Sequence, residues 1–571
     1  MANYCYLHSF YKNPSYKRND NGKLIEDESD YMFYVYKDND TGKSYFEVEE
    51  SPKVPVYFSK SKREYPEMFV KKDELEVVFV RYKDRLKAIA QKLGLLDEFY
   101  NSLKNNKKGE FYKKIINDPN IYMADVNIED YNKFEFVKKH GLNVIGLKKA
   151  FLDIEVENID YDGFPDEEKA PCPINVVSIL NVDNKTIYTH CLVTNYNKND
   201  VIWIKQNYES YIQTFIEKSI ISEFKIEIKF YSDEKSLILA MWNTIHELKP
   251  NFVGVWNMRF DAVTILNRMK KLGLCIEDVV CHPDVPKKYR YVNYKKDERS
   301  SSFNGTEEGD DKTDSTHPSR KFDLFTAANY SQFYDQMALY SNRRKRYILP
   351  SYKLDDIGLA EVNYGKMNYN ENFKSLKDLM KNDFKTFVAY NIQDVFVQYL
   401  IEKKVEDLDK YLFDCRTTPF FKGIKLSSTI KNFLMETFDK DGDIIGNNTI
   451  YPYDGEKPVG AIVARPELIK YKGVVILGEP SDVYENVIDL DASSEYPSLM
   501  MSFNIDKSTT YGRVVGLEYP DGSFSNIRGE INKLIETRDS SIFELCKRYM
   551  GLPNVGDFIK FIDKIINNYK K

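Results

Sequence analysis

A strand that delivers two acids to one face is the feature that most restricts how this chain folds. Residues 150–157 read Ala-Phe-Leu-Asp-Ile-Glu-Val-Glu, an apolar run with carboxylates two positions apart. Side chains two apart in a strand share a face, so Asp153 and Glu155 reach one point. Such carboxylates repel unless something cationic lies between them, and oxygen ligands of this kind suit Mg²⁺ or Mn²⁺. Strand signals continue at Asn175–Val182 and Thr186–Val193, followed by a helical pattern over Glu234–Leu248 and an apolar run, Phe252–Trp256. Strand and helix patterns alternate to about residue 400, which predicts an α/β layer.

Two more acids stand in apolar contexts. Asp261 closes the run Asn-Phe-Val-Gly-Val-Trp-Asn-Met-Arg-Phe-Asp, and Asp394 lies in Ala-Tyr-Asn-Ile-Gln-Asp-Val-Phe. The latter pattern is helical and puts Tyr390 and Asp394 one turn apart on one face. Each acid alone is as well explained by an ordinary strand-end or helix-face charge. Together, four carboxylates and a tyrosine suffice for two divalent ions that activate water and stabilise both oxygens of a phosphodiester displacement.

Composition sets outer bounds. With 571 residues the chain is too long for one core, and three or four domains are expected. Hydrophobic residues at 42% and charged residues at 30% exclude wholesale disorder. The charge balance, 82 − 88 = −6, excludes a protein coated in basic charge, so any nucleic-acid site is a local patch. Seven scattered cysteines form no CxxC pair, which points to a reducing compartment without disulfides or structural zinc. Cys275, Cys281 and His282 lie close together but lack a second ligand pair and read as buried groups. Met1–Lys12 carries no signal pattern, and no apolar run approaches the roughly 20 residues that span a bilayer. A cytoplasmic protein without a membrane anchor is expected.

The chain divides by pattern. Residues 1–145 read as a mixed α+β domain, with strands near Tyr31–Tyr36, Val54–Phe58 and Glu76–Val80 and a helix near Tyr82–Tyr100. Residues 146–404 form the acid-bearing α/β block, interrupted by a polar stretch, Lys296–Arg320, expected to be a surface loop. A helical segment follows at 405–455, with patterns at Val405–Phe413 and Leu426–Phe438. Residues 456–528 are strand-rich, and 529–571 are helical around a Gly551-Leu-Pro553 break.

Phe151-Leu-Asp-Ile-Glu155, Asn257-Met-Arg-Phe-Asp261 and Tyr390-Asn-Ile-Gln-Asp394 resemble the three motifs of a DEDD exonuclease of the tyrosine subtype. They are most similar to the proofreading domain of family B DNA polymerases, particularly phage replicative ones. Ser351-Tyr-Lys-Leu-Asp-Asp-Ile-Gly358 and Glu361-Val-Asn-Tyr-Gly-Lys366 resemble that family's connection between its second and third motifs. The resemblance implies an α/β multidomain protein with a ribonuclease H-like exonuclease domain at 146–404, and with 405–455 returning to the N-terminal domain. It implies two Mg²⁺ or Mn²⁺ ions per site, ligation by Asp153, Glu155, Asp261 and Asp394, and a water-orienting role for Tyr390. Asn257 would assist near the substrate, and the product would be a mononucleotide clipped from a single-stranded DNA 3′ end.

A second motif, Val487-Ile-Asp-Leu-Asp491-Ala-Ser-Ser-Glu-Tyr496-Pro-Ser498, resembles the first catalytic motif of the family B palm, and Asn504-Ile505 fits its phage subgroup. By that resemblance 456–528 is a partial palm and 529–571 the start of the fingers helices. Asp491 would hold the metals and Ala492 would supply a carbonyl. Ser494, Glu495 and Tyr496 would cradle the dNTP triphosphate through backbone N–H groups, and Tyr496 would exclude ribonucleotides. Glu495 departs from the family's leucine. Arg538 in Glu530-Ile-Asn-Lys-Leu-Ile-Glu-Thr-Arg538 matches a triphosphate-binding arginine, while Ile542 replaces a lysine that some relatives carry.

The family's second fingers motif and its D-T-D-S palm hairpin have no counterpart here. Asp311-Lys-Thr-Asp-Ser315 imitates the latter but lies upstream, within the polar stretch, without an apolar strand before it. A two-metal polymerase centre needs at least two palm carboxylates. The expectation is therefore an N-terminal part of a split or truncated polymerase, completed by a second polypeptide and acting on a DNA primer–template in the host cytoplasm if phage-encoded. The alternatives are a stand-alone 3′–5′ exonuclease with a vestigial palm, or a DNA-binding scaffold without catalysis. Basic residues mixed with aromatics at Lys287–Lys296 and Arg343–Tyr347 are candidates for phosphate and base contacts.

Overall fold

The computed structural model describes residues 3–18, 24–63, 69–194, 196–215, 223–297, 318–320, 322–344, 349–369, 372–416 and 426–447, plus four short strands beyond. The chain forms two compact units, one of residues 1–62 and 69–448, the other of 63–68 and 449–571. In the second unit the described residues form two antiparallel pairs, Ile469–Tyr471 with Val474–Leu477 and Gly516–Glu518 with Phe524–Asn526. No helix among the described residues is long and apolar enough to cross a membrane.

In the first unit the N-terminal part is built from small sheets. Tyr4–Lys12 pairs antiparallel with Tyr31–Asp38, which pairs in turn with Ser44–Glu50. Lys53–Ser59 lies between Leu75–Arg81 and Ile121–Tyr122. The helix expected near Tyr82–Tyr100 is two, Arg85–Lys92 and Leu96–Lys104. Gly94, at φ +72°, separates them, since a left-handed residue ends a helix and glycine adopts that conformation without strain. The chain later returns to this region. Asp443–Ile445 pairs with Phe69–Lys71, and Met435 and Ile444 share a core with Tyr57 and Phe134.

The mixed α/β character appears most clearly in a six-stranded sheet. Its strands in chain order are β1 (Lys149–Val156), β2 (Ile174–Asn181), β3 (Thr186–Leu192), β4 (Lys225–Tyr231), β5 (Phe252–Val255) and β6 (Gln332–Asp335). Their spatial order is β4-β3-β2-β1-β5-β6. β2 runs antiparallel to both its neighbours, and every other pairing is parallel. The accompanying helices are α1 (Lys198–Phe215), α2 (Glu234–Leu248), α3 (Met258–Lys271), α4 (Gln336–Arg343), α5 (Leu354–Val362), α6 (Leu376–Asn382), α7 (Phe384–Val405) and α8 (Asp407–Cys415).

Strand alternation sorts β1 between two cores. Leu152 and Ile154 pack with Leu237, Met241 and Trp242 of α2 and with Met258 and Ile265 of α3. Phe151 points the other way and packs with Phe384, Phe387, Ile392 and Phe396 of α7. Asp153 and Glu155 share the parity of Phe151, so both face α7. The sheet is thereby buried on both sides, as a largely parallel sheet requires. In the centre of this arrangement Phe151 of β1, Gly254 of β5 and Tyr334 of β6 sit in register. A Cβ on Gly254 would lie 2.9 Å from the Tyr334 hydroxyl and 3.0 Å from the Phe151 ring, so only glycine fits between the two aromatics.

α7 is the central helix. Asp383 caps it by accepting from the Thr386 N–H, and Glu406, at φ +53°, ends it. Its buried residues lie on all sides, including Tyr390, Asn391 and Asp394. The N-terminal strands close against the same body: Phe10 and Phe33 share a core with Phe252, Tyr330 and Leu408.

Candidate active site

Three elements meet at the acid-bearing end of β1. β1 brings Asp153 and Glu155, α7 brings Tyr390, Asn391 and Asp394, and the first turn of α3 brings Asp261. A register shift between Glu155 and Val156 breaks the pairing with β2 here, and such bulges re-aim side chains at strand ends. One carboxylate oxygen from each of Asp153, Glu155 and Asp394 falls within 4.8 Å of the others. Asp261 is buried outside that tight group but close enough that the Asp153 and Glu155 charges act on it.

The acids flagged in the first and third exonuclease motifs therefore converge, and Asp261 of the second lies buried within reach of their charges. Asn257 is exposed at the N-terminus of α3, with no capping bond from its side chain. Asp491, Ala492, Ser494, Glu495, Tyr496 and Arg538 lie outside the described residues, as does most of Lys296–Arg320.

Electrostatics follow from the crowding. Burial, reinforced by the Asp394 charge, pushes the Asp153 carboxyl up to about 8. Glu155 and Asp261 are pushed well above the usual carboxylate range by burial and by their acidic neighbours. Burial also raises Asp394, although Lys366 opposes it. Tyr390 is raised by burial and by Asp394, so its phenol stays protonated.

Two residues at the centre lacked an assigned role in the sequence reading. Lys366 Nζ lies 2.5 Å from Asp394 Oδ2 and donates to the Tyr390 hydroxyl at 3.0 Å. Burial opposes its charge, but Asp394, Tyr390, Asp153 and Glu155 together hold the ammonium well above the ordinary lysine range. Its turn is pinned: Asp355 accepts from the Lys366 N–H at 2.7 Å, and Gln393 of α7 donates to Gly365 O at 2.7 Å. Asn391 Nδ2 donates to Asp153 Oδ2 at 2.8 Å, bridging α7 to β1. Lys366 closes the stretch Glu361–Lys366, and Asn391 sits inside the third motif. Their positions were visible in the sequence, but their partners were not.

The donor set fits a divalent cation. Every candidate ligand atom is a carboxylate oxygen, the chemistry that hard cations such as Mg²⁺ and Mn²⁺ prefer. Asp394 Oδ1 is buried without a hydrogen-bond partner, an acceptor left for a ligand. The Lys366 ammonium, drawn among the acids, shows that the cluster demands positive charge.

The basic segments have other engagements. Arg344 stacks on Tyr340 at 3.8 Å and pairs with Asp407 at 2.6 Å, while Arg343 pairs with Asp414. Lys288 pairs with Glu50 at 2.7 Å, and Arg290 with Asp278 at 2.6 Å. Among the described residues, these charges join parts of the fold.

A half-buried carboxylate cluster at the end of an interior strand of a mixed sheet has the donor set that a divalent metal ion takes. Residues 125–357 match the family model described as DNA polymerase family B, exonuclease domain. A DNA-directed DNA polymerase of Escherichia phage RB69 is 23% identical over 375 residues, covering 64% of this chain and 36% of that protein. DNA polymerase 120R of Invertebrate iridescent virus 3 is 24% identical over 305 residues, covering 49% and 23% respectively. Through residues 125–357 the chain is thus similar to the exonuclease domain of family B DNA polymerases, and over a longer stretch to a phage and a viral DNA polymerase. The matched stretches span about a third of the length of one curated relative and about a quarter of the other.

Proposed function

We propose that this chain is a 3′–5′ exonuclease that proofreads DNA synthesis by a family B polymerase, releasing mononucleotides from a single-stranded 3′ end. The observation that carries the reading is the convergence of Asp153, Glu155 and Asp394 within 4.8 Å, the first two inside residues 125–357, which match the family's exonuclease domain, and Asp394 on a helix that follows them. The strand order, with β2 alone antiparallel, supports a ribonuclease H-like arrangement for residues 146–404.

Asp153, Glu155, Asp261 and Asp394 would hold two Mg²⁺ or Mn²⁺ ions. When bound, those ions supply a water of lowered pKa and charge stabilisation for the attacking and leaving oxygens. The protein's own groups do the rest. Tyr390, protonated and fixed by Lys366, orients the attacking water through its hydroxyl. Lys366 keeps a positive charge beside the reacting phosphate, where negative charge grows. Asn391 holds the Asp153 carboxylate in place by donating to Oδ2. Exposed Asn257 is available to the DNA strand.

The polymerase activity carried by the relatives' names would use Asp491 with Ala492, a dNTP cradle at Ser494, Glu495 and Tyr496, and Arg538 on the triphosphate. A second palm carboxylate would have to come from residues outside these 571, on this or another polypeptide.

A DNA single strand labelled at its 3′ end tests the nuclease reading. With Mn²⁺ or Mg²⁺ the chain should release labelled mononucleotide, and an intact label after long incubation overturns the proposal. Primer extension by the 571 residues alone should give no sustained incorporation. Robust synthesis would show that Asp491 needs no further palm residue.

A further inference from the structure

Arg259 lies within the second motif but outside the carboxylate cluster, and its side chain crosses to another part of the chain. Arg259 Nε and Nη2 donate to Asp323 Oδ2 and Oδ1 at 2.7 and 2.6 Å, a two-bond fork. The Asp323 side chain is 1% exposed, and it accepts two further bonds, from the Tyr294 hydroxyl at 2.6 Å and the Asp297 N–H at 2.9 Å. A carboxylate so buried and so fully satisfied does not swing aside, and the arginine bound to it is fixed as well.

What Arg259 fixes is the first turn of α3. The N–H groups of Phe260 and Asp261 both reach Asn257 O, so this turn moves as a unit. On its other side, the Met258 N–H donates to the carboxylate of Asp335, which itself caps α4 through the Ala338 N–H at 2.7 Å. The turn bearing Asp261 is thus clamped from two directions, by Asp323 through a side chain and by Asp335 through the backbone.

We infer that Arg259 is a positioning residue: through Asp323 it fixes the turn that carries Asp261, and so keeps that acid beside the Asp153, Glu155 and Asp394 cluster as a further ligand for divalent metal. The inference rests on the proposed nuclease function for its activity readout but not for its metal-binding readout. A fork of two hydrogen bonds specifies orientation as well as charge, so lysine replaces Arg259 only in part.

The test uses the full chain, its Asp153→Ala/Glu155→Ala double variant as a background control, and Arg259→Gln, Arg259→Lys and Tyr294→Phe. Mn²⁺ binding is titrated calorimetrically, and 3′-end release is measured for kcat and KM. Arg259→Gln should weaken Mn²⁺ binding and lower kcat by roughly 10–100-fold, as loss of a group orienting a metal ligand does. KM for single-stranded DNA should stay within about twofold, because no DNA contact is removed. Arg259→Lys should recover part of both losses. A lower melting temperature with unchanged Mn²⁺ affinity and kcat overturns the inference and leaves Arg259 a structural anchor. So does a change confined to KM. If Arg259→Gln does not fold, Tyr294→Phe removes one bond from Asp323 and should weaken Mn²⁺ binding in the same direction. An unchanged affinity there also overturns the inference. Should the wild-type chain bind Mn²⁺ yet release no nucleotide, the nuclease reading fails while the Mn²⁺ titration still decides the role of Arg259.

Discussion

At the scale of single residues, the site is a device for keeping negative oxygens together. Asp153 and Glu155 follow one another on the α7-facing side of β1, and Asp394 meets them from the helix opposite. Replacing both Asp153 and Glu155 by Ala should reduce 3′-end release to the background of an enzyme-free assay while the far-ultraviolet circular dichroism stays native. Persistent metal-dependent digestion would place the active site elsewhere. The same crowding makes metal binding depend on pH. Burial and the Asp394 charge push Asp153 up to about 8, from an ordinary value of 3.8. The folded protein therefore holds more protons than the unfolded one across that interval, and this carboxyl's contribution to stability falls as pH rises through it. A bound divalent cation removes the proton and the repulsion together. Mn²⁺ should accordingly raise the melting temperature more at pH 8 than at pH 6, with net proton release in calorimetry. An equal shift at both values would show that these acids are not the ligands.

Between elements, the decisive contacts are close approaches that bring α5, α7 and the turn at Lys366 into one block. Gly358 of α5 faces α7: a Cβ there would lie 2.5 Å from Tyr364 O and 2.7 Å from Val397 Cγ1. Backbone cannot yield as a flexible side-chain end does, so Gly358→Ala forces the helices apart. The expected cost is about 1–3 kcal/mol in urea unfolding. Nuclease activity should fall as well, because Tyr364 leads into Gly365 and Lys366. Unchanged stability would mean that α5 is loosely docked. Pattern alone did not show this. The stretch Ser351–Gly358 was recognisable as a unit, yet its purpose, to seat Lys366 against Tyr390 and Asp394, depends on a helix some thirty residues further on. α1 and β4 go unpredicted as well, although Ile226, Ile228 and Phe230 alternate within β4. Among the described side chains of α1, Val201 and Ile204 are buried in the core shared with α7.

Across the molecule, buried neutral histidines set how the fold responds to acid. His8 in the N-terminal sheet, His190 on β3 and His246 on α2 are each pushed by burial down to about 4, from 6.5. Between pH 6.5 and 4 the unfolded chain binds protons that the folded one refuses, so stability falls as pH falls through that window. Each histidine contributes up to about 3 kcal/mol of this loss. Melting temperature should drop steeply from pH 6.5 to 4.5, and His190→Gln or His246→Gln should flatten part of the slope. An unaltered slope in both would assign the acid sensitivity to other groups.

The sequence by itself determined that an apolar strand would deliver Asp153 and Glu155 to one side. It also determined that Tyr390 and Asp394 would share a helix face, and that strands and helices would alternate around them. These are consequences of local periodicity, which each segment carries within itself. Only the tertiary structure decided that the α7 face, rather than the α2 face, receives the acids. It likewise decided that Lys366 and Asn391 join them, and that Arg343 and Arg344 are bound to Asp414 and Asp407. Those outcomes depend on which surfaces pack, and hence on pairings between residues up to 238 positions apart in the chain, such as Asn391 with Asp153. No local pattern encodes them, because the energy that selects them comes from burying whole faces at once.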